Sequence, residues 1–152
     1  TPKCVLVPAT EYNSLHKVDY LTTMGVAPSV SECVVDTPVI NNIVAVMSID
    51  KEFAQTLLNL KTDFTFTTPL LSNETIEQGT IIELIDNTLF VRVYNKGLLF
   101  AEAMEVSSDA DIIHILQRLN NIYDIYNMYA RALGDTERIT RICKRCFKHI
   151  DK

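Results

Sequence analysis

Ile81-Ile82-Glu83-Leu84-Ile85, Asp86-Asn87, Thr88-Leu89-Phe90-Val91-Arg92-Val93-Tyr94, Asn95-Lys96-Gly97 and Leu98 to Val106 follow one another without a gap. Three apolar, β-rich runs are parted by two short turns. Asp and Asn tolerate the positive φ of a tight hairpin, so the stretch 80–106 predicts an antiparallel meander of three strands. Ser107-Ser108-Asp109 then offers a helix cap, and Ile112, Ile115, Leu116, Leu119, Ile122 and Tyr123 recur on one helical face. Tyr126 to Leu133 reads as a fourth strand, Gly134 as a turn and Thr136 as the cap of a last helix. The order is β-β-β-α-β-α.

Upstream the punctuation predicts β-α-β-α-β. Cys4 to Val7 is a short apolar strand closed by Pro8. A helix over Asn13–Met24 offers Leu15, Val18 and Leu21 to a core, and Gly25 ends it. Asp36, Pro38, Asn41 and Asn42 interrupt a strand-like stretch before the apolar run Ile43–Met47. Asp50 caps a helix whose inner face is Phe53, Ala54, Leu57 and Leu58, and Phe64–Leu71 returns as strand. The polar segment Ser72–Gly79 is the natural break, dividing the chain into 1–78 and 79–152. The expected class is α/β, a mixed sheet with flanking helices.

With 47% apolar and 22% charged residues among 152, the chain can fill a core and is not a solvated coil. Its longest apolar runs fall far short of the roughly 20 residues of a membrane span. Cys4, Cys33, Cys143 and Cys146 suit a reducing, cytoplasmic setting better than a disulfide scaffold. Asn73-Glu74-Thr75 matches a glycosylation sequon, a match common by chance. Residues 137–152 hold six Lys/Arg against two acids, while the rest hold eight against seventeen. An acidic body of this kind argues against a nucleic-acid partner.

Three antiparallel strands, a crossing helix, a strand and a second helix resemble the ribonuclease H-like unit used twice in the actin and sugar-kinase superfamily. The resemblance covers 79–152 best, and 1–78 resembles the later part of a first such unit without its opening hairpin. Leu98-Leu99-Phe100-Ala101-Glu102 with Ala110 to Leu116 is also similar to an uncharacterised bacterial family with an actin-like fold. ATPases of the superfamily carry Asp-x-Gly at a strand-end hairpin, where backbone N–H groups approach phosphate. The matching place here is Asp86-Asn87-Thr88, with Thr where Gly allows close approach. A Gly-Gly turn after the fourth strand is matched by Gly134-Asp135, with an acid at the second position. The resemblance therefore implies a worn nucleotide site at Asp86, Thr88, Gly134 and Asp135, without a bound cofactor.

Other candidates have plainer explanations. Cys143-Lys144-Arg145-Cys146 has redox or zinc spacing, but Ile139, Ile142, Cys143, Cys146, Phe147 and Ile150 also form one helical stripe, which reads both thiols as core members. On the opposite side Arg138, Arg141, Arg145, Lys148 and Lys152 form a basic face that suits solvent or an acidic partner. His16, His114 and His149 are scattered, and His114 stands at helix-pair spacing from Asp111 and Arg118. Four glycines in the whole chain cannot assemble a Walker loop or a dinucleotide fingerprint. The leading expectation is a non-catalytic module of actin-like fold that binds or scaffolds an unidentified protein partner. The alternative is a nucleotide-binding ATPase whose phosphate hairpin lies outside this sequence, and a thiol or metal protein using Cys143 and Cys146 is the third class.

Overall fold

The computed structural model describes residues 3–60, 63–71 and 76–151. The chain divides into two compact units, one running from Lys3 to Asn73 and the other from Glu74 onward. The boundary itself, with the sequon at Asn73, lies outside the described residues.

The second unit is built as its turns dictate. Strands β4 (Gln78–Ile85), β5 (Thr88–Asn95) and β6 (Leu98–Glu105) form the antiparallel meander, with Ile85 opposite Thr88 across Asp86-Asn87. Asp86 takes φ 51° and Lys96 φ 57°, the left-handed conformations tight turns need. Helix α3 (Asp109–Tyr123) returns the chain so that β7 (Tyr129–Gly134) lies parallel to β4, with Ile82 opposite Ala132. Helix α4 (Thr136–Cys143) and a short β8 (His149–Asp151), parallel to β7, complete a mixed sheet ordered β6-β5-β4-β7-β8. The period-2 set Ile82, Leu84, Leu89, Val91 and Val93 packs with Ile112, Leu116, Ile139 and Ile142 from the two helices. Ala130 and Ala132 put only methyl groups into that layer. Each large side chain withdrawn here contributes about 1.5–3 kcal/mol.

Two readings change in this unit. The fourth strand starts at Tyr129, because Asp124 adopts φ 54° and a 3-10 turn over Ile125–Asn127 intervenes. The last helix stops at Cys143, whose carbonyl accepts from Cys146 N–H at 2.9 Å and Phe147 N–H at 2.8 Å. Lys148 N–H then donates to the Tyr126 carbonyl at 3.1 Å and the chain enters β8. Phe147 and Ile150 reach the same core from non-helical backbone. The apolar stripe recorded which side chains are buried, not the backbone that buries them.

The first unit departs further. Strands β1 (Cys4–Pro8), β2 (Glu32–Asp36) and β3 (Ile43–Asp50) form an antiparallel sheet ordered β1-β3-β2. The interruption after Asp36 is a hairpin, with Asn41 at φ 52° and Asn42 at φ 62°. Helix α1 (Lys17–Thr23) follows a 3-10 turn capped by Asn13, and Gly25 ends it at φ +74°. Of the expected inner face only Leu21 is buried, Leu15 being 88% exposed. Helix α2 (Lys51–Asn59), capped by Asp50, buries no residue, and Phe53 and Leu58 are 55% and 64% exposed. Phe64–Leu71 is not a strand: it runs irregularly into a 3-10 turn at Pro69–Leu71. Threonine-rich β propensity counts only where a neighbouring strand accepts the pairing, and Pro69 removes a donor. The observed order is β-α-β-β-α.

Candidate functional site

Parallel pairing of β4 with β7 sets Gly134 opposite Leu84, two residues before Asp86. The two places that the resemblance singles out therefore share one end of the sheet. Asp135 N–H donates to the Leu84 carbonyl at 2.9 Å, and Val106 N–H donates to the Asn87 carbonyl at 2.8 Å. Those contacts bring the starts of α3 and α4 to the Asp86-Asn87 turn. Asp86 and Asp135 are exposed and Thr88 is half-buried. Gly134 sits at φ +69°, and a Cβ there would lie 2.1 Å from the Leu84 carbonyl oxygen. This glycine is demanded by the strand crossing, whatever the ligand.

Both helix starts are already occupied by carboxylates of the chain. At α4 the Asp135 carboxylate accepts from Arg138 N–H at 3.1 Å. At α3 a capping box forms: Ser107 and Ser108 N–H each donate to Asp111 Oδ2 at 2.9 Å, and Asp111 N–H donates to Ser108 Oγ at 3.2 Å. Asp109 binds across to the other helix, accepting from Arg138 Nε at 2.6 Å and Arg141 at 3.0 Å. The Arg138 hydrogen bond, supported by Arg141 and opposed by partial desolvation, holds the Asp109 carboxyl below the usual carboxylate value. Backbone donors from Ser107, then the Ser108 hydroxyl, do the same for Asp111. The corner thus carries Asp86, Asp109, Asp111 and Asp135, and its two nearby guanidinium groups are spent on Asp109. A polyphosphate entering it meets like charge and N–H donors already engaged.

The Asp109–Arg138–Arg141 link was not legible in the sequence, since 29 residues separate the first pair and no local spacing encodes it. Arg92 was also missed. Its side chain is fully buried on the sheet face away from α3 and α4, 3.6 Å from Glu83 Oε2. A charged residue inside an apolar β run was the available signal.

The remaining candidates scatter. Cys143 is buried, and burial, aided by Cys146, pushes its thiol up to about 12. Cys146 is half-buried against the Tyr126 hydroxyl, which burial and then Cys146 raise to about 12. Cys4 is pushed up to about 11 by burial, against a hydrogen bond from Thr68. All four cysteines are unpaired, and no group of three metal-ligating side chains occurs among the described residues. His149 stands on β8, off the helix that carries Cys143. Arg145 and Lys148 lie beyond α4, so they do not share a helix face with Arg138 and Arg141, and Lys152 is outside the described residues. His16 pairs with Asp19 at 2.9 Å, and His114 is exposed.

No protein-family model matches the chain, and no curated protein does. Among solved structures it is similar to a protein of unknown function with an actin-like ATPase fold from Bacteroides thetaiotaomicron VPI-5482. The TM-score is 0.76 at 15% identity, over 99% of this chain and 64% of that one. It also aligns with the cytoplasmic domain of EpsL, an inner membrane component of the type II secretion system of Vibrio cholerae, at TM-score 0.43 and 15% identity. That alignment covers 98% of this chain and 60% of the other, and at that score it carries no argument. The chain spans less than two thirds of either structure. It has the actin-like ATPase fold. No helix among the described residues is long and apolar enough to cross a membrane.

Proposed function

We propose that the chain is a non-catalytic module of actin-like fold that binds or scaffolds a protein partner in a bacterial cytoplasm. One observation carries this reading. The corner where the resemblance would place phosphate is closed by the protein's own carboxylates, which cap α3 and α4 and hold Arg138 and Arg141. Thr88 and Asp135 stand where glycine would admit a phosphate to the backbone. The four unpaired cysteines support a reducing compartment.

Calorimetry with ATP and magnesium tests the reading. The expected result is no binding at micromolar ligand and no magnesium-dependent hydrolysis. Replacing Thr88→Gly with Asp135→Ser, which keeps a capping oxygen on α4, should raise affinity from that baseline. Micromolar binding by the unaltered chain, weakened by Asp86→Ala, would overturn the proposal in favour of a nucleotide-binding ATPase.

A further inference from the structure

The outer strand of the five-stranded sheet combines two features that the nucleotide corner does not use. Among the described residues, strand β6 ends the sheet order and is hydrogen-bonded on one side only, to β5. Edge strands are usually blunted by proline, lysine or a bulge. The eight residues of β6 contain neither proline nor lysine. The one irregularity in its pairing with β5 lies at its start, where Leu99 is the extra residue between Leu98 and Phe100, so Phe100–Glu105 run in regular register. Beside it runs a groove of about 70 Å³ between β6 and α3. Phe100, Glu102 and Met104 form its strand wall, and Ile115, Arg118 and Ile122 form its helix wall. Ile122 is 69% exposed although it faces apolar neighbours. Glu102 and Arg118 are exposed on opposite walls.

A row of open main-chain groups is satisfied by an extended strand and not by a helix. The groove adds a side-chain requirement. Its helix wall reads apolar, basic, apolar at Ile115, Arg118 and Ile122, which are i, i+3 and i+7 on one face. An adjoining strand must answer with apolar, acidic, apolar at alternate positions. Strand β6 itself presents that series, as Phe100, Glu102 and Met104. We infer that β6 is a self-association edge on which a second copy of this chain docks its own β6 antiparallel, extending the sheet across a two-fold axis.

The symmetry fixes the geometry. An axis perpendicular to the sheet keeps each face continuous, so residues on one face meet residues on the same face. A register centred on Glu102 sets two carboxylates directly opposite and is disfavoured. A register centred on Ala101 sets Glu102 opposite Phe100 of the second copy, within the regular part of the strand. The two grooves then run together across the axis, so that each Arg118 faces the Glu102 on its own strand wall and, beside it, the Glu102 of the other copy. The inference goes beyond the module reading and holds whether or not the chain binds ATP.

Sedimentation equilibrium of the chain from about 1 μM to about 100 μM, a range typical of modest interfaces, tests it. A concentration-dependent dimer is expected. Glu102→Arg alone and Arg118→Glu alone should each weaken dimerisation about tenfold or more, by placing like charges across the groove, and the two together should restore it. Ile122→Asp, at a position too exposed to matter for folding, should also weaken the dimer while leaving the melting temperature of dilute protein unchanged. A monomer throughout the range overturns the inference. So does a dimer indifferent to all three single changes, or a charge swap that fails to rescue.

Discussion

The two units of this chain use similar local signals to different depths. In the unit from Glu74 onward, a meander and two helices bury a continuous layer that includes Ile82, Leu84, Val91, Ile112, Leu116 and Ile139. Among the described residues from Lys3 to Leu71, three strands and α1 bury only Val7, Leu21, Val44 and Val46 as one cluster, while α2 contributes nothing buried. Both have capped helices and β-rich strands. The difference lies in layering, because a helix stripe stabilises only where a sheet or another helix removes it from water.

Two glycines put that contrast to its hardest test. Gly134 and Gly25 have nearly the same φ, +69° and +74°. A Cβ at Gly134 would strike the Leu84 carbonyl at 2.1 Å, whereas nothing lies within 4 Å of one at Gly25. Gly134→Ala should therefore cost about 3 kcal/mol or more, since the strand crossing has to move. Gly25→Ala should cost only about 1 kcal/mol of conformational strain. Equal losses in urea unfolding would refute the packing argument and leave backbone conformation as the whole effect.

The helices give the next test. Leu116 on α3 is 1% exposed within the layer, so Leu116→Ala should cost about 3 kcal/mol. Phe53→Ala and Leu58→Ala on α2 remove as much hydrocarbon from exposed positions and should each stay within about 0.5 kcal/mol. A loss at Phe53 comparable to that at Leu116 would show that α2 has a buried partner in solution.

The same contrast explains what the sequence disclosed. The meander and α3 were legible because turn residues, alternation and cap agreed on one answer, and the parallel return of β7 follows from the single crossing helix. The inner faces assigned to α1 and α2 failed because periodicity names a face without saying whether anything covers it. The Phe64–Leu71 strand failed for want of a pairing partner, and the last helix failed because Phe147 and Ile150 keep helical spacing on a turned backbone. Asp86, Thr88, Gly134 and Asp135, the positions that the resemblance singles out, are gathered by the sheet at one end. The cross-helix clamp on Asp109 depends on tertiary approach and left no trace in local spacing.

That clamp supports the finest comparison, and the smallest expected effect, because its groups are partly exposed and screened. The Asp109 carboxyl is held below its ordinary value of 3.8 by the Arg138 hydrogen bond first, with Arg141 adding to it. A carboxylate depressed in the folded state adds stability that is present above its unfolded value, near about pH 4, and lost as pH falls through the folded value. Asp109→Asn should therefore flatten the acid limb of a stability–pH curve below about pH 4 and leave the curve's shape at neutral pH unchanged. Arg138→Gln should reproduce most of that flattening and Arg141→Gln less, matching the order of their contributions. In the other unit Asp36 offers a control. Burial raises its carboxyl, but hydrogen bonds from Lys17, at 2.5 Å, and from the Tyr12 hydroxyl outweigh that and lower it. Asp36→Asn should flatten the same window, with the change in amide exchange confined to α1 and its strands. If Asp109→Asn leaves the acid limb untouched while Asp36→Asn removes it, the clamp at the start of α3 is a surface contact without thermodynamic weight. The closure of that corner of the sheet would then rest on the caps at Ser108, Asp111 and Asp135 alone.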